Sequence, residues 1–506
     1  ICLLDSQSIP KELLTKYKDD LKVENFLYNL KKYSLIQEES KPVHTISFHR
    51  TIHQIAKNYL TRALHLEKQP QLYTSMANAF AEFITHAIDR ADSNKMRLMV
   101  IHCEKFLSHP FLTTKIKDIV AANLGAIYYS IGDYTKSKTI LGNTRRSFNT
   151  YTEKPYQLLA EVLKYLGISY IKLGDPKEAR TVLEEGENIY KKYPPQEKHK
   201  IADLLMFLGW AYKDLGKYEQ ARVTSEESKD IYEKHSPQKH HKIAFISSQI
   251  GIIYLNLGNY KKAQSFLEES LATYEKYHPT NYMDIAHIER DLGRVYGEVG
   301  HYEKAKIRFE KNLKIYEKYY PKDHIENAWP LLFLGAIHRE LGEYKKAEKS
   351  LGKSFKMLKE NDPRDTRIGW VSKELGALYK KLGQYNQAKK YLKESLKIFE
   401  KHYGHNHIKV GAVLRELGET HLLEGDINAA ENYLNKALGI FELNNHPESY
   451  TVLEILGDLY LKKLKDAYDK KDHQQIESSR TQALNYLNEA FKIVKDYFPK
   501  DSPHIA

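Results

Sequence analysis

A glycine that returns every 42 residues constrains this chain more than any other feature. It follows a leucine or isoleucine at Gly125, Gly167, Gly209, Gly251, Gly293 and Gly335, and the series continues with small slips at Gly376, Gly418 and Gly457. A second glycine comes seven residues after each of the first eight, from Gly132 and Gly174 to Gly383 and Gly425. Five residues further on stands a small residue: Ser137, then Ala179, Ala221, Ala263, Ala305, Ala347, Ala388 and Ala430. Pro195, Pro237, Pro279, Pro321 and Pro363 keep the same period. Self-similarity at such a fixed interval marks a repeat architecture, in which each unit buries its apolar face only against its neighbours.

Each unit reads as two helices. Apolar residues recur at three and four, as in Leu204, Leu205, Leu208, Ala211 and Tyr212, which is the period of a helix with one buried face. The second glycine suits the left-handed residue that ends helix A. Asp175 and Pro176 then read as N-cap and first helical position, with Glu178 in the opening turn. The first glycine stands mid-helix, where it costs about 1 kcal/mol against alanine. Repeating that cost implies close approach of helix A to helix B, with Ala179 and its equivalents expected on the facing side.

These residues resemble the tetratricopeptide repeat in its 42-residue, kinesin light chain-like form. The run Leu208-Gly209, Tyr212, Gly216, Tyr218 and Ala221 carries the first half of that pattern, and Ala430, Leu434 and Ala437 carry the second. Pro176 and Ile427 depart from it after the turn, and His338 and His421 replace the helix A tyrosine. About fourteen extra residues between Gly457 and Ala483 read as lengthened helices or a loop. The resemblance implies an all-α fold, a right-handed superhelix (α-solenoid), with about nine repeats over residues 111–498. Residues 499–506 resemble the start of a further, truncated repeat.

A solenoid removes the usual expectation of several domains in 506 residues. Apolar residues make up 42%, enough for a stacked core, and no run of eighteen apolar residues suggests a membrane span. Two cysteines, Cys2 and Cys103, give no disulfide framework and fit a reducing cytosol, so a cytoplasmic location is expected. Cys103, among Ile101, Phe106 and Leu107, is expected to be a buried small apolar residue. No secretory signal is visible, and the chain opens at Ile1 inside an apolar element, as a fragment of a longer protein would. The formal charge of +12 raises the prospect of an acidic or nucleic-acid partner. Lysines such as Lys261, Lys262, Lys389 and Lys390 stand beside glutamates on helix B, the pattern of a solvated face.

Residues 1–66 do not repeat. Ile9 to Leu14 reads as a helix start with Pro10 in its first turn, and Val23 to Leu35 as a second helix. Ser34 to Ile36 and Thr45 to Phe48 read as a hairpin across the loop Gln37–Pro42, and His49 to Leu64 as a third helix. That order is the order of a small N-terminal winged-helix domain, incomplete at its start. The run Leu27, Leu30, Tyr33-Ser34-Leu35-Ile36, Ile46-Ser47-Phe48-His49-Arg50 and Gln54 resembles the winged-helix segment of STAND (NB-ARC) signalling NTPases. The resemblance implies that His49 senses the nucleotide's terminal phosphate. The same helix read as a DNA-binding element would place His49, Arg50, His53 and Lys57 on one side, a sparse basic face for that purpose. Residues 67–110 are expected to form bridging helices or a degenerate repeat.

Catalytic signatures are missing: no phosphate-binding Gly-x-x-x-x-Gly-Lys loop, no Gly-x-Ser-x-Gly elbow, no His-Glu-x-x-His. No cofactor is expected in this chain, with ADP or ATP expected only in a longer parent, whose NTPase domain would lie upstream. No metal site is expected, since His402, His405 and His407 in one turn lack a fixed fourth ligand. In the tetratricopeptide family, helix A positions six and three residues before the first glycine, and one, four and five after it, line the inner groove. Those positions give Lys164, Trp210, Lys213, Phe245, Arg290, Arg294, Trp329, Arg339, Trp370, Lys373, Lys380, Lys381 and Arg415. All three tryptophans of the chain are among them. Tryptophan and arginine anchor interfaces more than other residues, and arginine grips carboxylates through two bonds. The alternative is that the cations pair with Asp203, Asp214, Asp291, Glu298, Glu340 and Glu416 nearby.

The expectation is therefore a non-enzymatic protein-recognition arm of a STAND-like signalling ATPase. Its groove would take a protein or peptide with acidic and aromatic or apolar groups, and it would oligomerise on activation. The alternatives are a scaffold similar to kinesin light chain and a basic superhelix binding nucleic acid, the latter disfavoured.

Overall fold

A computed structural model describes residues 4–17, 20–40, 43–48, 50–63, 70–90, 92–110, 112–321 and 324–497. They fall into two compact units, residues 1–214 and 215–506, so the boundary lies inside the third repeat.

The first unit opens with strand β1 (Ile9–Pro10), helices α1 (Lys11–Tyr17) and α2 (Asp20–Lys32), strands β2 (Ile36–Glu39) and β3 (Thr45–Phe48), and helix α3 (Arg50–Ala63). The three strands form one antiparallel sheet in the order β1-β3-β2. Ile9-Pro10 thus corrects the sequence expectation: it is an edge strand paired with Ile46 and Thr45, and the helix starts only at Lys11. An edge position tolerates a proline, which has no N–H to give. The hairpin pairs Ile36 with Phe48 and Glu39 with Thr45, so Gln37, Glu38 and Glu39 belong to the strand and not to the loop. Helices α4 (Pro70–Asp89) and α5 (Ser93–Leu107) follow. Leu4, Ile9, Leu27, Ile46, Phe80, Phe83, Cys103, Phe106 and Tyr128 share one buried core, so β1, α2, β3, α4, α5 and the first repeat helix are packed around it. Cys103 is wholly buried, and burial pushes its thiol up.

The repeats come as helix pairs: α6 (Thr114–Ser130) and α7 (Tyr134–Asn149), α8 (Tyr156–Lys172) and α9 (Pro176–Lys192), with α10 (His199–Asp214) the last helix of the first unit and α11 (Tyr218–His235) the first of the second. They continue as α12 (His240–Asn256) and α13 (Tyr260–Tyr277), α14 (Tyr282–Glu298) and α15 (Tyr302–Tyr319), α16 (Ala328–Glu340) and α17 (Tyr344–Asn361). The last three pairs are α18 (Arg367–Lys381) and α19 (Tyr385–Tyr403), α20 (Ile408–Glu424) and α21 (Ile427–Leu443), α22 (Ser449–Lys470) and α23 (His473–Tyr497). The extra residues after Gly457 lengthen both helices of the last pair, to 22 and 25 residues.

The mid-helix glycines do bring helix A onto helix B, but the facing side chain is a leucine or phenylalanine sixteen residues on rather than the alanine alone. A Cβ on Gly251 would lie 2.7 Å from Cγ of Leu267 and 3.2 Å from the backbone oxygen of Ala263. At Gly293 the occupant is Phe309, and at Gly376 and Gly418 it is Leu392 and Leu434. The glycine is therefore the socket into which a large side chain of helix B inserts. The second glycine ends helix A: Gly174 takes φ +79°, and Asp175 N–H closes on Tyr170 O at 2.9 Å. The Asp175 carboxylate then accepts the N–H of Glu178 at 3.3 Å, capping helix B.

Two further ties were not read from the sequence. Inside a pair, a buried side chain of helix B donates to a carbonyl near the start of helix A: Ser270 to Ala244 at 2.7 Å, Asn312 to Ala286 at 2.7 Å, Ser354 to Ala328 at 2.8 Å and Ser395 to Gly369 at 2.7 Å. Between pairs, the tyrosine three residues after the glycine donates to a glutamate on the preceding helix B. Such bonds are Tyr254 to Glu226 at 2.6 Å, Tyr296 to Glu268 at 3.2 Å, Tyr379 to Glu348 at 3.1 Å and Tyr460 to Glu431 at 2.7 Å.

Candidate functional site

In the second unit the A helices of five successive pairs, α14, α16, α18, α20 and α22, surround a cavity of about 330 Å³. Residues three and four apart on a helix share a face, which is why Arg294 and Glu298, Trp370 and Lys373, and Lys409, Ala412 and Arg415 reach it, joined by Arg339 and Glu340 from the end of α16. Tyr260, Tyr302, Phe333, Glu374, Glu448, Tyr450 and Thr451 complete the wall on which ligand groups would bear.

The cavity is charged but nearly balanced. Arg339 bonds Glu374 at 2.8 Å and Glu340 at 2.5 Å, and Lys373 bonds Glu374 at 2.9 Å. Burial alone would raise Glu374, yet Lys373 and Arg339 hold its carboxyl at about 2. Arg415 donates to Glu416 at 2.9 Å and to Thr451 Oγ1 at 3.0 Å, and its guanidinium lies 3.7 Å from Glu448. Burial, and then the nearby Glu448, push Glu298 up. Lys409 differs from the other cations. Its ammonium lies 4.1 Å from the centre of the Trp370 ring, and among the described residues no carboxylate comes within ion-pair distance of it. Burial, and then Arg294, push it down to about 7.

Five of the thirteen groove candidates line this cavity: Arg294, Arg339, Trp370, Lys373 and Arg415. Trp329 stands directly behind, stacked on Phe333 at 5.4 Å and 6.4 Å from Trp370. Arg290 lies outside the lining and is joined to Asp291 at 2.8 Å, which also holds Arg294 at 3.2 Å. Lys380 is buried and tied to Glu416 at 2.7 Å and to Glu419. Phe245 is half-buried on α12 and Lys381 is exposed at the end of α18, both outside the lining. Lys164, Trp210 and Lys213 belong to the first unit. There Lys164 is buried against Glu161 at 2.5 Å, and Trp210 receives the ammonium groups of Lys172 and Lys213 at 4.8 and 5.2 Å. His49 lies outside the described residues.

Lys409, Tyr260, Glu448 and Tyr450 were missed. Lys409 was legible, since it stands nine residues before Gly418, one turn further along the face already used. The others enter through turns that the repeat rule does not cover. Among the described residues no group of three ligating side chains could hold a metal. His405 is exposed and meets Glu400 at 3.2 Å, while His407 faces Tyr218. No helix among the described residues is long and apolar enough to cross a membrane.

An array of two-helix hairpins whose inner helices wall a cavity defines an α-solenoid of the helical repeat class. Tetratricopeptide repeat models match residues 118–192, 242–318, 302–360 and 367–442, and a further one matches 202–235. They span more than half of the chain, which therefore belongs to the tetratricopeptide repeat family. No curated protein is recognisably similar to it in sequence. Among solved structures, it resembles a Rap protein complexed with competence and sporulation factor, at 13% identity and a TM-score of 0.58, over 73% of this chain and 99% of that one. It also resembles the apo form of the quorum sensor NprR from B. thuringiensis, at 15% identity and 0.57, over 72% and 97%. These likenesses are of fold. A STAND protein with a tetratricopeptide repeat sensor from Pyrococcus horikoshii aligns over 86% of this chain and 61% of its own, at 16% identity and a TM-score of only 0.42.

Proposed function

We propose that this chain is a non-enzymatic recognition module that takes an extended or helical peptide segment into the cavity between α14 and α22. The observation that carries the reading is Lys409, whose amine lies on the face of Trp370 with no carboxylate within ion-pair distance among the described residues. A carboxylate brought by a partner would complete that pair. An apolar or aromatic neighbour would lie against Trp370 and Phe333, with Arg294 and Arg415 alongside. The Rap protein of the same fold was solved complexed with competence and sporulation factor, which is in keeping with a binding role for such an array.

The same charges argue against nucleic acid, since Arg290, Arg339, Lys373, Lys380 and Arg415 already have carboxylates. The finer reading, a sensor arm of a STAND-like signalling ATPase that assembles on activation with ADP or ATP bound elsewhere, rests on the resemblance of Leu27 to Gln54. The order of α1, α2, the hairpin and α3 supports it. A version of the chain extended upstream that neither binds nor hydrolyses nucleotide would count against it.

The test is a displayed library of random peptides selected on the full chain, with binders re-measured on Lys409→Met and Trp370→Leu. Binders should be rich in Asp or Glu beside an apolar residue. Lys409→Met should weaken them at least tenfold, about 1.4 kcal/mol, without lowering the melting temperature. Selection that yields no binder, or binders indifferent to both substitutions, removes the reading.

A further inference from the structure

Two contacts in the second unit join parts of the chain 189 residues apart (258 to 447, and 218 to 407). In the first, the turn between α12 and α13 meets the loop between α21 and α22. Gly258 has φ +71°, and a Cβ placed on it would lie 1.9 Å from Cγ of Pro447. Next to that proline, His446 bonds the backbone at Asn256, and its Nδ1 accepts the N–H of Glu448 at 3.2 Å. Tyr260 follows the turn and Glu448 and Tyr450 follow the loop, and all three line the cavity. In the second, a Cβ on Gly216 would lie 3.2 Å from the His407 ring. The same ring meets the Tyr218 hydroxyl at 3.5 Å and stacks on Tyr403 at 4.6 Å between centres. His407 Nδ1 accepts the N–H of Lys409 at 3.2 Å, at the start of the helix that carries Lys409 into the cavity.

A solenoid needs only nearest-neighbour contacts to stand. Contacts between pairs so distant along the array, made through residues that adjoin the cavity wall, do something else. We propose that the Gly258–Pro447 and Gly216–His407 contacts form a clasp that narrows the entry to the cavity, so that a ligand reaches Lys409 and Trp370 faster when the clasp parts and, once seated, holds it closed. The clasp is weak enough to part. It consists of proline and ring contacts and hydrogen bonds worth about 1 kcal/mol each, with no ion pair across Gly258–Pro447 among the described residues. That a ligand is a peptide rests on the proposed function, whereas the clasp itself is testable without any ligand.

The experiment measures the rate at which Lys409 is acetylated by an N-hydroxysuccinimide ester in the full chain, by peptide mass spectrometry, relative to exposed Lys381 in the same sample. Gly258→Ala forces Pro447 away. Gly342→Ala is the control, because Gly342 has the same kind of backbone, φ +74°, with nothing within 4 Å of its Cβ position. Pro447→Ala removes the contact without touching a glycine. Gly258→Ala and Pro447→Ala should raise the Lys409 to Lys381 ratio at least fivefold, with the larger rise in Gly258→Ala, and Gly342→Ala should leave it within twofold. Should Gly258→Ala fail to fold, Pro447→Ala against Gly342→Ala decides alone. A ratio that is equal in Pro447→Ala and Gly342→Ala, or already near one in the unaltered chain, overturns the clasp. Because no peptide is used, that result would leave the binding reading standing or falling on its own test.

Discussion

Alanine at Gly376 and alanine at Gly352 should move stability in opposite directions. Both glycines lie inside helices, α18 and α17, so both substitutions gain about 1 kcal/mol of helix propensity. Gly352 is exposed, with nothing within 4 Å of a new Cβ, so Gly352→Ala should keep the gain. At Gly376 the new Cβ would lie 2.5 Å from Cγ of Leu392 and 3.2 Å from the backbone oxygen of Ala388. Leu392 is fully buried and cannot swing out. Overpacking of a filled core costs about 1–3 kcal/mol, and a clash with a branch point and a backbone atom at once belongs at the upper end. Net of propensity, Gly376→Ala should destabilise by about 2 kcal/mol. Leu392→Ala alone should cost about 2–5 kcal/mol, and the double substitution should cost at least about 1 kcal/mol less than the sum, because the two residues compete for one space. Urea unfolding of the full chain, followed by helical circular dichroism, reads the signs even if the array unfolds in stages. If Gly376→Ala raised the midpoint as far as Gly352→Ala, the socket explanation of the 42-residue glycine would be wrong.

Glu374→Gln leaves Lys373 without its 2.9 Å partner and weakens the hold on Arg339, and should cost about 3 kcal/mol at neutral pH. Glu374 is held down at about 2 from 4.5, so its contribution is full above 4.5 and lost as pH falls from there towards 2, at up to about 1.4 kcal/mol per pH unit. The variant's acid stability curve should be flatter in that window. His407 has the same sign by a different cause. Burial first, and then Lys409, His402 and His446, push it down to about 3 from 6.5, while uncharged Tyr218 and Tyr403 pack against its ring. Its neutral form therefore stabilises fully above 6.5, and that stabilisation drains as pH falls towards 3. His407→Asn keeps a cap acceptor for the Lys409 N–H, and should reduce the loss of stability measured between pH 6.5 and 5, the rest coming from His102 and His446, which burial also pushes down.

The repeats were legible because stacking repeats one geometric demand. Gly251, Gly293 and Gly335 recur since each must admit Leu267, Phe309 or Leu351, and Gly174 or Gly258 because each helix A must stop in a left-handed residue. Ile9-Pro10 was misread for the opposite reason, as its strand exists only through pairing with residues 45 and 46, and nothing local signals that. At the site, a rule of fixed offsets found Arg294, Arg339, Trp370, Lys373 and Arg415, which share the inner face. It could not separate them from Lys380 or Arg290, which stand at the same offsets but outside the lining. Tyr260 and Tyr450 were beyond any such rule, because the turn and loop that carry them meet only when the array curves. The pairing also makes the double substitution Arg290→Glu with Arg294→Glu a poor probe for nucleic-acid binding. Reversing both charges leaves Asp291, 1% exposed, among like charges, so it would unfold the region before reporting on any ligand.

Where His338 stands in for the helix A tyrosine, the tie to the preceding pair is replaced by a bond within the same turn, to Glu343 at 2.5 Å, whereas His421 Nδ1 finds no hydrogen-bond partner among the described residues and stacks on Tyr433. The array is thus a spring of unequal coils. Tension or torsion applied to it would concentrate at the junction preceding α16, while the tyrosine-stapled junctions at Tyr254, Tyr296, Tyr379 and Tyr460 stayed close to their resting pitch and Lys389, bonded to Glu424 at 2.6 Å, held the one preceding α20. Elasticity in such a chain is set one side chain at a time, and exchanging His338 for tyrosine would stiffen one coil without altering its core.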